Sequence, residues 1–497
     1  MLRTLSRRYT LTEQEFPCPI LLEDYLIVFH DYALLAGNYQ FTEAMETVER
    51  FKSTKFSRKD GVENPWIQIL GELITLAKND KAFYTCSFLV SRAFFRRNST
   101  AKDQYMTICE TIQRMRVKFL SDPAMELLID DLMTYSRSRA ESVKLISGLA
   151  AWVHRKEPVD WKRHLGETEA IIAKFKQPEE EVFLLKPADL RPTAPLIEPK
   201  QTAIAPCEFL NPIIELALTE LNILKNLFKT QIGLNTCELF TCMSSLALIR
   251  SEFVTAVKEV QMADGGSAQK SFFFSQITKP SPKNKLIYWY AEFYDLLLAK
   301  FSLYFANAIG TYCESSEVQK IHEVDNGHNF INRCVEFYKK SNAFYLAIVQ
   351  SRTEGPRYNS PFDVEELYFA PRGEEDQQDD YLYPLIFRLP SPTHNDHRHE
   401  DLEYFDQDDV HRMVDGFVRK QLIGIPYEYS GATKVYTSMR DVTAYGARLE
   451  LDTYLVVIYE GSAVNEKKHN PVEFIHHLSN DLKCVKLIRT LRARAKV

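Results

Sequence analysis

The chain has 497 residues, of which 45% are hydrophobic and 26% charged, with a formal net charge of −6 at pH 7. That length predicts about two to four domains, the composition excludes a disordered chain, and the charge gives no general drive toward nucleic acid. Nine cysteines occur without a C-x-x-C pair, mostly in apolar helical contexts, which argues against a disulfide frame or a zinc site.

The first segment, residues 1–20, reads as a flexible lead. Arg3, Arg7, Arg8 and Ser6 precede no apolar h-region, so it is not a secretory signal, and Glu13 and Glu15 speak against a mitochondrial presequence. No stretch has the composition of a transmembrane helix. From Leu21 onward apolar residues recur at helical spacing, as in LLEDYLIVFHDYALL, WIQILGELITLAK, YMTICETIQRMRVKFL and MELLIDDLM. The breaks at Gly37-Asn38, Gly61, Asn79-Asp80, Asn98-Ser99 and Ser121-Asp122-Pro123 suit a helical bundle without a fixed repeat. Ala93 to Asp103 is basic and aromatic. It reads as a helix end, with Ser99 capping the next helix.

A helical domain is expected over 21–325, interrupted by a Pro-rich linker at 176–211. Two helices, PIIELALTELNILKNLF and CELFTCMSSLALIRSEFVTAVKEV, follow the linker and end at a flexible Asp264-Gly265-Gly266-Ser267. Phe272, Phe273 and Phe274 either anchor the chain on a core or, for Phe272 and Phe273, offer a partner surface. Next comes the helix around which the chain is organised, Lys285 to Gly310, with Ser281 as N-cap and Pro282 in its first turn. It is apolar nearly all round, so it is expected to be buried on several sides, with Trp289, Phe293, Leu297, Phe301 and Phe305 in the core. Glu292, Asp295 and Lys300 interrupt it too often for a membrane span.

Residues 326–497 change texture and are expected to form an α/β domain with an acidic loop at 353–380. A helix near His328–Lys340 leads into FYLAIV, a strand. LIFRL is a second strand, placed at an edge by Pro384. DDVHRMVDGFVRKQL is an amphipathic helix, followed by strands in KVYTSMR, TAYGARLEL and TYLVVIYE. From Ala447 to Asp452 the polar Arg448, Glu450 and Asp452 alternate with Ala447, Leu449 and Leu451. Asn470-Pro471-Val472-Glu473 is a capping box opening one last helix, with Ile475, Leu478, Leu482 and Val485 buried. The order β-β-α-β-β-β-α predicts an α+β protein: an N-terminal helical bundle, then an antiparallel five-stranded sheet with helices. That order resembles roadblock, longin and profilin-like domains.

Candidate chemistry is sparse. The stretch from Thr393 to Asp409 offers His394, His397 and His399 with Asp396, Glu400 or Asp401 as metal ligands. The spacing is not H-E-x-x-H, and a polar loop of this kind is ordinarily solvated. No phosphate-binding loop, nucleophile elbow or kinase signature is present, so no catalytic residue, metal or cofactor is expected. Lys483, Lys486, Arg489, Arg492, Arg494 and Lys496 form a basic stripe near the C-terminus. It either complements a helix end or, through Arg489 and Arg492, meets an acidic partner or an anionic membrane.

Four stretches carry a resemblance to a known family. They are SFFFSQ (Ser271 to Gln276) with LLLAKFSLYFANAI (Leu296 to Ile309), FINRCVEFYKKSNAFYLAIVQSR (Phe330 to Arg352), APRGEEDQQDDYLYPLIFRLPSP (Ala370 to Pro392), and YLVVIYE with EFIHHLSNDLK between Tyr454 and Lys483. In order and spacing the chain resembles the KICSTOR subunit 2 family. The lead, the linker and the acidic loop look longer than in that family. The resemblance implies a non-enzymatic scaffold subunit, with no family set of catalytic residues. Its implied partners are a giant scaffold protein, kaptin, an FG-GAP-repeat protein and a GATOR-type Rag GTPase activator. The implied place is cytoplasmic, peripheral at the lysosomal membrane, and the implied role is negative regulation of TORC1 signalling in nutrient sensing, under amino acid or glucose starvation. Two other readings stand beside it: a longin-type adaptor for another small GTPase in membrane traffic, and a metal-dependent hydrolase using His394, His397 and His399.

Overall fold

A computed structural model describes residues 22–56, 65–89, 100–116, 118, 123–152, 157–176, 210–263, 284–306, 329–350, 385–389, 407–426, 431–438, 441–450, 452–461 and 470–496. The lead 1–20, the acidic loop 353–380, nearly all of the linker, Phe272, Phe273, His394, His397 and His399 lie outside the described residues.

The N-terminal part is helical. Helices α1 (Leu22–Gly37), α2 (Phe41–Lys55), α3 (Pro65–Tyr84), α4 (Ala101–Arg116), α5 (Pro123–Trp152) and α6 (Trp161–Lys176) precede the linker, with a 3₁₀ turn at Ser87–Leu89. After it come α7 (Asn211–Asn235), α8 (Leu239–Ala263) and α9 (Lys285–Tyr304). Local signals set several of these ends. Thr100, not Ser99, caps α4: its hydroxyl accepts from the Asp103 N–H, while the Asp103 carboxylate accepts from the Thr100 N–H and hydroxyl. Residues three apart at a helix start meet in this way. Helix α7 is longer than the sequence pattern predicts by about two turns and is flanked by α1, α6, α8 and α9. Gly37 closes α1 against α7, where an added Cβ would sit 2.9 Å from Pro212.

Helix α9 differs at its start from the expected one. It begins at Lys285 after Asn284, and Ser281, Pro282 and Gly310 lie outside the described residues. Its sides are occupied as its apolar circumference requires. It packs on α3, α7 and α8 of the helical part, and on elements of the sheet part described next.

The C-terminal part contains α10 (Phe330–Ser341), β1 (Tyr345–Gln350), β2 (Leu385–Leu389), α11 (Gln407–Phe417, prolonged by a π turn at Val418–Leu422), β3 (Thr433–Thr437), β4 (Val442–Arg448), β5 (Thr453–Glu460), α12 (Pro471–Leu482) and α13 (Val485–Lys496). The five strands form one antiparallel sheet in the order β2-β1-β5-β4-β3. The molecule is therefore α+β, with the expected helices followed by the expected sheet.

Side-chain alternation divides the sheet's two faces. Leu346 and Ile348 of β1 and Leu455, Val457 and Tyr459 of β5 join the large core shared with α9, α10 and α12. Tyr345, Ala347 and Val349, with Tyr454, Val456 and Ile458, face Val410, Val414, Phe417 and Leu422 of α11 and its π turn. A central strand covered on both faces needs an unbroken apolar run, and TYLVVIYE supplies one. A slip of one residue would exchange the two sets. Gly446 of β4 lets α11 approach the sheet, since a Cβ there would lie 2.5 Å from Phe417 Cε1 and 2.8 Å from Leu422 Cδ1.

The last helix is a second correction. The sequence pattern predicts one helix, but the chain breaks at Cys484, which has a φ of 58°, and α12 and α13 are separate. The α12 start agrees with expectation: Asn470 accepts from the Val472 and Glu473 N–H groups, and Pro471 occupies the first turn.

Candidate functional site

One buried polar cluster lies at a junction between the two parts. Lys300 of α9 is fully buried (0% exposed). Its ammonium donates to Glu450 Oε1 at 2.6 Å, to Gln231 Oε1 at 2.8 Å and to the Leu482 carbonyl at 3.0 Å. An ammonium has three protons, and here each has an acceptor. The second Glu450 oxygen accepts from the Tyr304 hydroxyl at 2.6 Å. Gln231 Nε2 donates to Glu450 Oε1 at 3.1 Å and to Asn235 Oδ1 at 2.8 Å.

The participants come from four separate elements. Gln231 and Asn235 lie on the last turns of α7. Lys300 and Tyr304 lie one turn apart on α9. Glu450 sits in the tight connection from β4 to β5, where its N–H and that of Leu449 donate to the Thr453 carbonyl. Leu482 ends α12, so its carbonyl lacks a successor in the helical ladder and accepts from Lys300 instead. The break at Cys484 thus creates an acceptor that a continuous helix would have consumed. Burial in this junction pushes the Cys484 thiol up to about 11 and the Tyr304 hydroxyl well above its ordinary range. With every ammonium proton engaged, the cluster acts as a strut between helices and sheet. It has no proton left for a ligand.

A short way along α9, the Trp289 indole donates to the Leu487 carbonyl of α13 at 3.0 Å. Trp289 (0% exposed) touches Phe293, and Phe293 in turn meets Trp161 of α6. Leu297, Phe301 and Phe305 are buried as well, and Phe301 and Phe305 pack ring against ring. Trp289, Phe293, Leu297, Phe301 and Phe305 all lie inside.

A second buried cluster lies within the helical part. Arg139 of α5 donates to Glu220 of α7 at 2.6 Å, to the Tyr84 hydroxyl at 2.6 Å and to the Tyr135 hydroxyl at 3.0 Å. Asp80 of α3 accepts from the Tyr105 hydroxyl at 2.6 Å and the Tyr135 hydroxyl at 2.9 Å. Burial pushes both the Asp80 and the Glu220 carboxyl upward, against the lowering pull of Arg139. Sequence reasoning missed this cluster and the junction alike. The signals that could have shown them are single charges inside otherwise apolar helix faces.

Two sequence expectations about charge are corrected. Glu450 is not an exposed member of an alternating strand: β4 ends at Arg448, and Glu450 is buried beneath α9. Lys483 does not belong to an exposed stripe. It is buried, and desolvation lowers its pKa to about 8. Arg489 and Arg492 do lie on the exposed face of α13. The described residues hold no group of three metal-ligating side chains, and no described helix is long and apolar enough to cross a membrane.

Comparison with known proteins sets this architecture beside one family. The family model described as "KICSTOR complex C12orf66 like" matches residues 200–408, the stretch from the end of the linker through α7, α8, α9, α10, β1 and β2 to the start of α11. The expected resemblance to the KICSTOR subunit 2 family holds. A protein of Xenopus laevis named KICSTOR subunit 2 is 20% identical over 477 residues, covering 93% of this chain and 95% of the relative. The likeness to this KICSTOR protein therefore extends through both parts of the molecule. The family match itself includes Gln231 and Lys300 of the junction, whereas Glu450 and Leu482 lie beyond it.

Proposed function

We propose that this chain is a non-enzymatic scaffold subunit of a KICSTOR-like complex. The observation that carries this reading is similarity to a KICSTOR subunit along nearly the whole chain, helices and sheet together. The proposed partners are other KICSTOR-like subunits (the giant scaffold protein, kaptin and the FG-GAP-repeat protein) and a GATOR-type Rag GTPase activator. Through them the chain would sit in the cytoplasm at the lysosomal surface and restrain TORC1 signalling when amino acids or glucose run short. The architecture suits such work: helices and sheet are fastened by a buried strut, so surfaces on both parts keep a fixed relation. Phe272, Phe273, Arg489 and Arg492 are the proposed contact residues. The strand order and covering helices support a roadblock- or longin-like reading of the sheet part.

The test is affinity purification of the tagged full-length chain from its own cells, followed by mass spectrometry. Near-stoichiometric recovery of the giant scaffold and GATOR-type components is the expected result. Recovery of coat proteins or Rab-type GTPases in their place would overturn it in favour of a traffic adaptor.

A further inference from the structure

Helix α13 is held to the molecule by one face and presents the other. Leu487, Ile488 and Leu491 are buried, while Lys486, Arg489 and Arg492 are exposed. Contacts with α9, α5, α12 and the 3₁₀ turn fix the buried side, and the Trp289 indole bonds to its backbone. The exposed cations are therefore carried on a rigid support, spread over about 9 Å of helix.

Stabilisation of a helix C-terminus does not account for them. Lys486 is the second residue of α13, where the helix dipole disfavours a cation. No acidic residue occurs from Val485 to Val497. Among the described residues, Lys486 and Arg489 take part in no ion pair. The acid of α12 next to this junction, Asp481, is engaged with Arg333 of α10 at 2.8 Å.

We infer that the exposed face of α13 is a docking surface for an acidic segment of a partner protein. Charge complementarity names the occupant, and the missing apolar residues choose between acidic occupants. A helix that lies in a membrane surface needs an apolar face to insert. The apolar face of α13 is spent on its own core, and no large hydrophobic residue on it is exposed. The guanidinium fork at Arg489 suits paired carboxylates. The inference rests on the scaffold reading and specifies one of its surfaces.

The test uses the full-length chain and a fluorescein-labelled poly-glutamate peptide, followed by polarisation at low and physiological ionic strength. The Lys486→Glu/Arg489→Glu variant is expected to bind at least about tenfold more weakly. The matched change Lys339→Glu/Lys340→Glu on α10 is expected to leave binding within about twofold. Equal losses in both variants, or none in either, would overturn the proposal. So would loss of binding to phosphatidylserine vesicles with peptide binding intact, which would identify a membrane surface. An unchanged melting temperature in both variants keeps the comparison free of unfolding, since all four side chains are exposed. Recovery of the KICSTOR-like subunits by the wild-type chain separates the two claims. If it fails, the scaffold reading falls. If it succeeds and the α13 variant behaves as wild type, only the acidic-segment assignment falls.

Discussion

The two buried ionic clusters differ in what they join. The Arg139 cluster links α3, α4, α5 and α7, all within the helical part, and sets one guanidinium between two carboxylates and three phenols. The Lys300 cluster links α7 and α9 to the β4–β5 connection and to the end of α12, and Lys300 itself bonds to a residue 182 positions away. The first fixes how one set of helices packs. The second fixes how that set meets the sheet. Breaking a buried pair costs more than forming it contributes, because the remaining charge is stranded. The same chemistry therefore has different consequences at the two places.

Substitutions can break or sharpen this contrast. The largest effect is expected from Arg139→Ala, which removes the one cation facing two buried carboxylates, Glu220 at 2.6 Å and Asp80 at 3.8 Å. It should destabilise by about 3–5 kcal/mol in urea unfolding, with hydrogen exchange increased throughout α3, α5 and α7. If exchange rose instead in β4 and β5 alone, the cluster would not belong to the helical part as described. Next is Lys300→Met, at about 3 kcal/mol, since Glu450 keeps Tyr304 and Gln231 as donors. Exchange should increase in β4, β5 and α12 while α3 and α5 stay protected. Adding Glu450→Gln should recover part of the loss, and strict additivity of the two changes would show that they are not coupled.

Gly446→Ala tests the other face of the sheet at about 1–3 kcal/mol, through a methyl forced against Phe417 and Leu422. Lower thermal stability with both ionic clusters intact is the expected outcome. A neutral result would mean that α11 can retreat.

The smallest effect is expected at Asp295 of α9, which belongs to neither cluster. Burial, with Glu292 adding to it, raises its carboxyl to about 7 from 3.8. The folded state then holds the proton more tightly than the unfolded chain. Stability contributed by this group is greatest below about pH 3.8, falls as pH rises toward 7, and is level above that. Asp295→Asn should flatten that slope and gain on the order of 1 kcal/mol at pH 8, with little change at pH 4. Chemical unfolding as a function of pH reads the difference directly.

Residues near one another in the chain announced much of this fold. The apolar circumference of α9 announced a helix with neighbours on several sides. TYLVVIYE announced a strand, and Asn470-Pro471 the start of α12. These signals are local because capping, periodicity and strand propensity act over a few residues. The junction was not legible in that way. Lys300 read only as an interruption that excluded a membrane span, and Glu450 as the polar member of an alternating pattern. A charge in a sequence carries no mark of the partner that will let it be buried.

The sequence by itself determined the α+β class and the succession of elements from α10 to the start of α12, since each follows from short-range chemistry repeated along the chain. Only the tertiary structure decided that the last helix breaks at Cys484, that Lys483 and Glu450 lie inside, and that Lys300 fastens the two parts. Those outcomes depend on acceptors that come within hydrogen-bonding distance of the ammonium only after α7, α9, the β4–β5 connection and α12 have packed together.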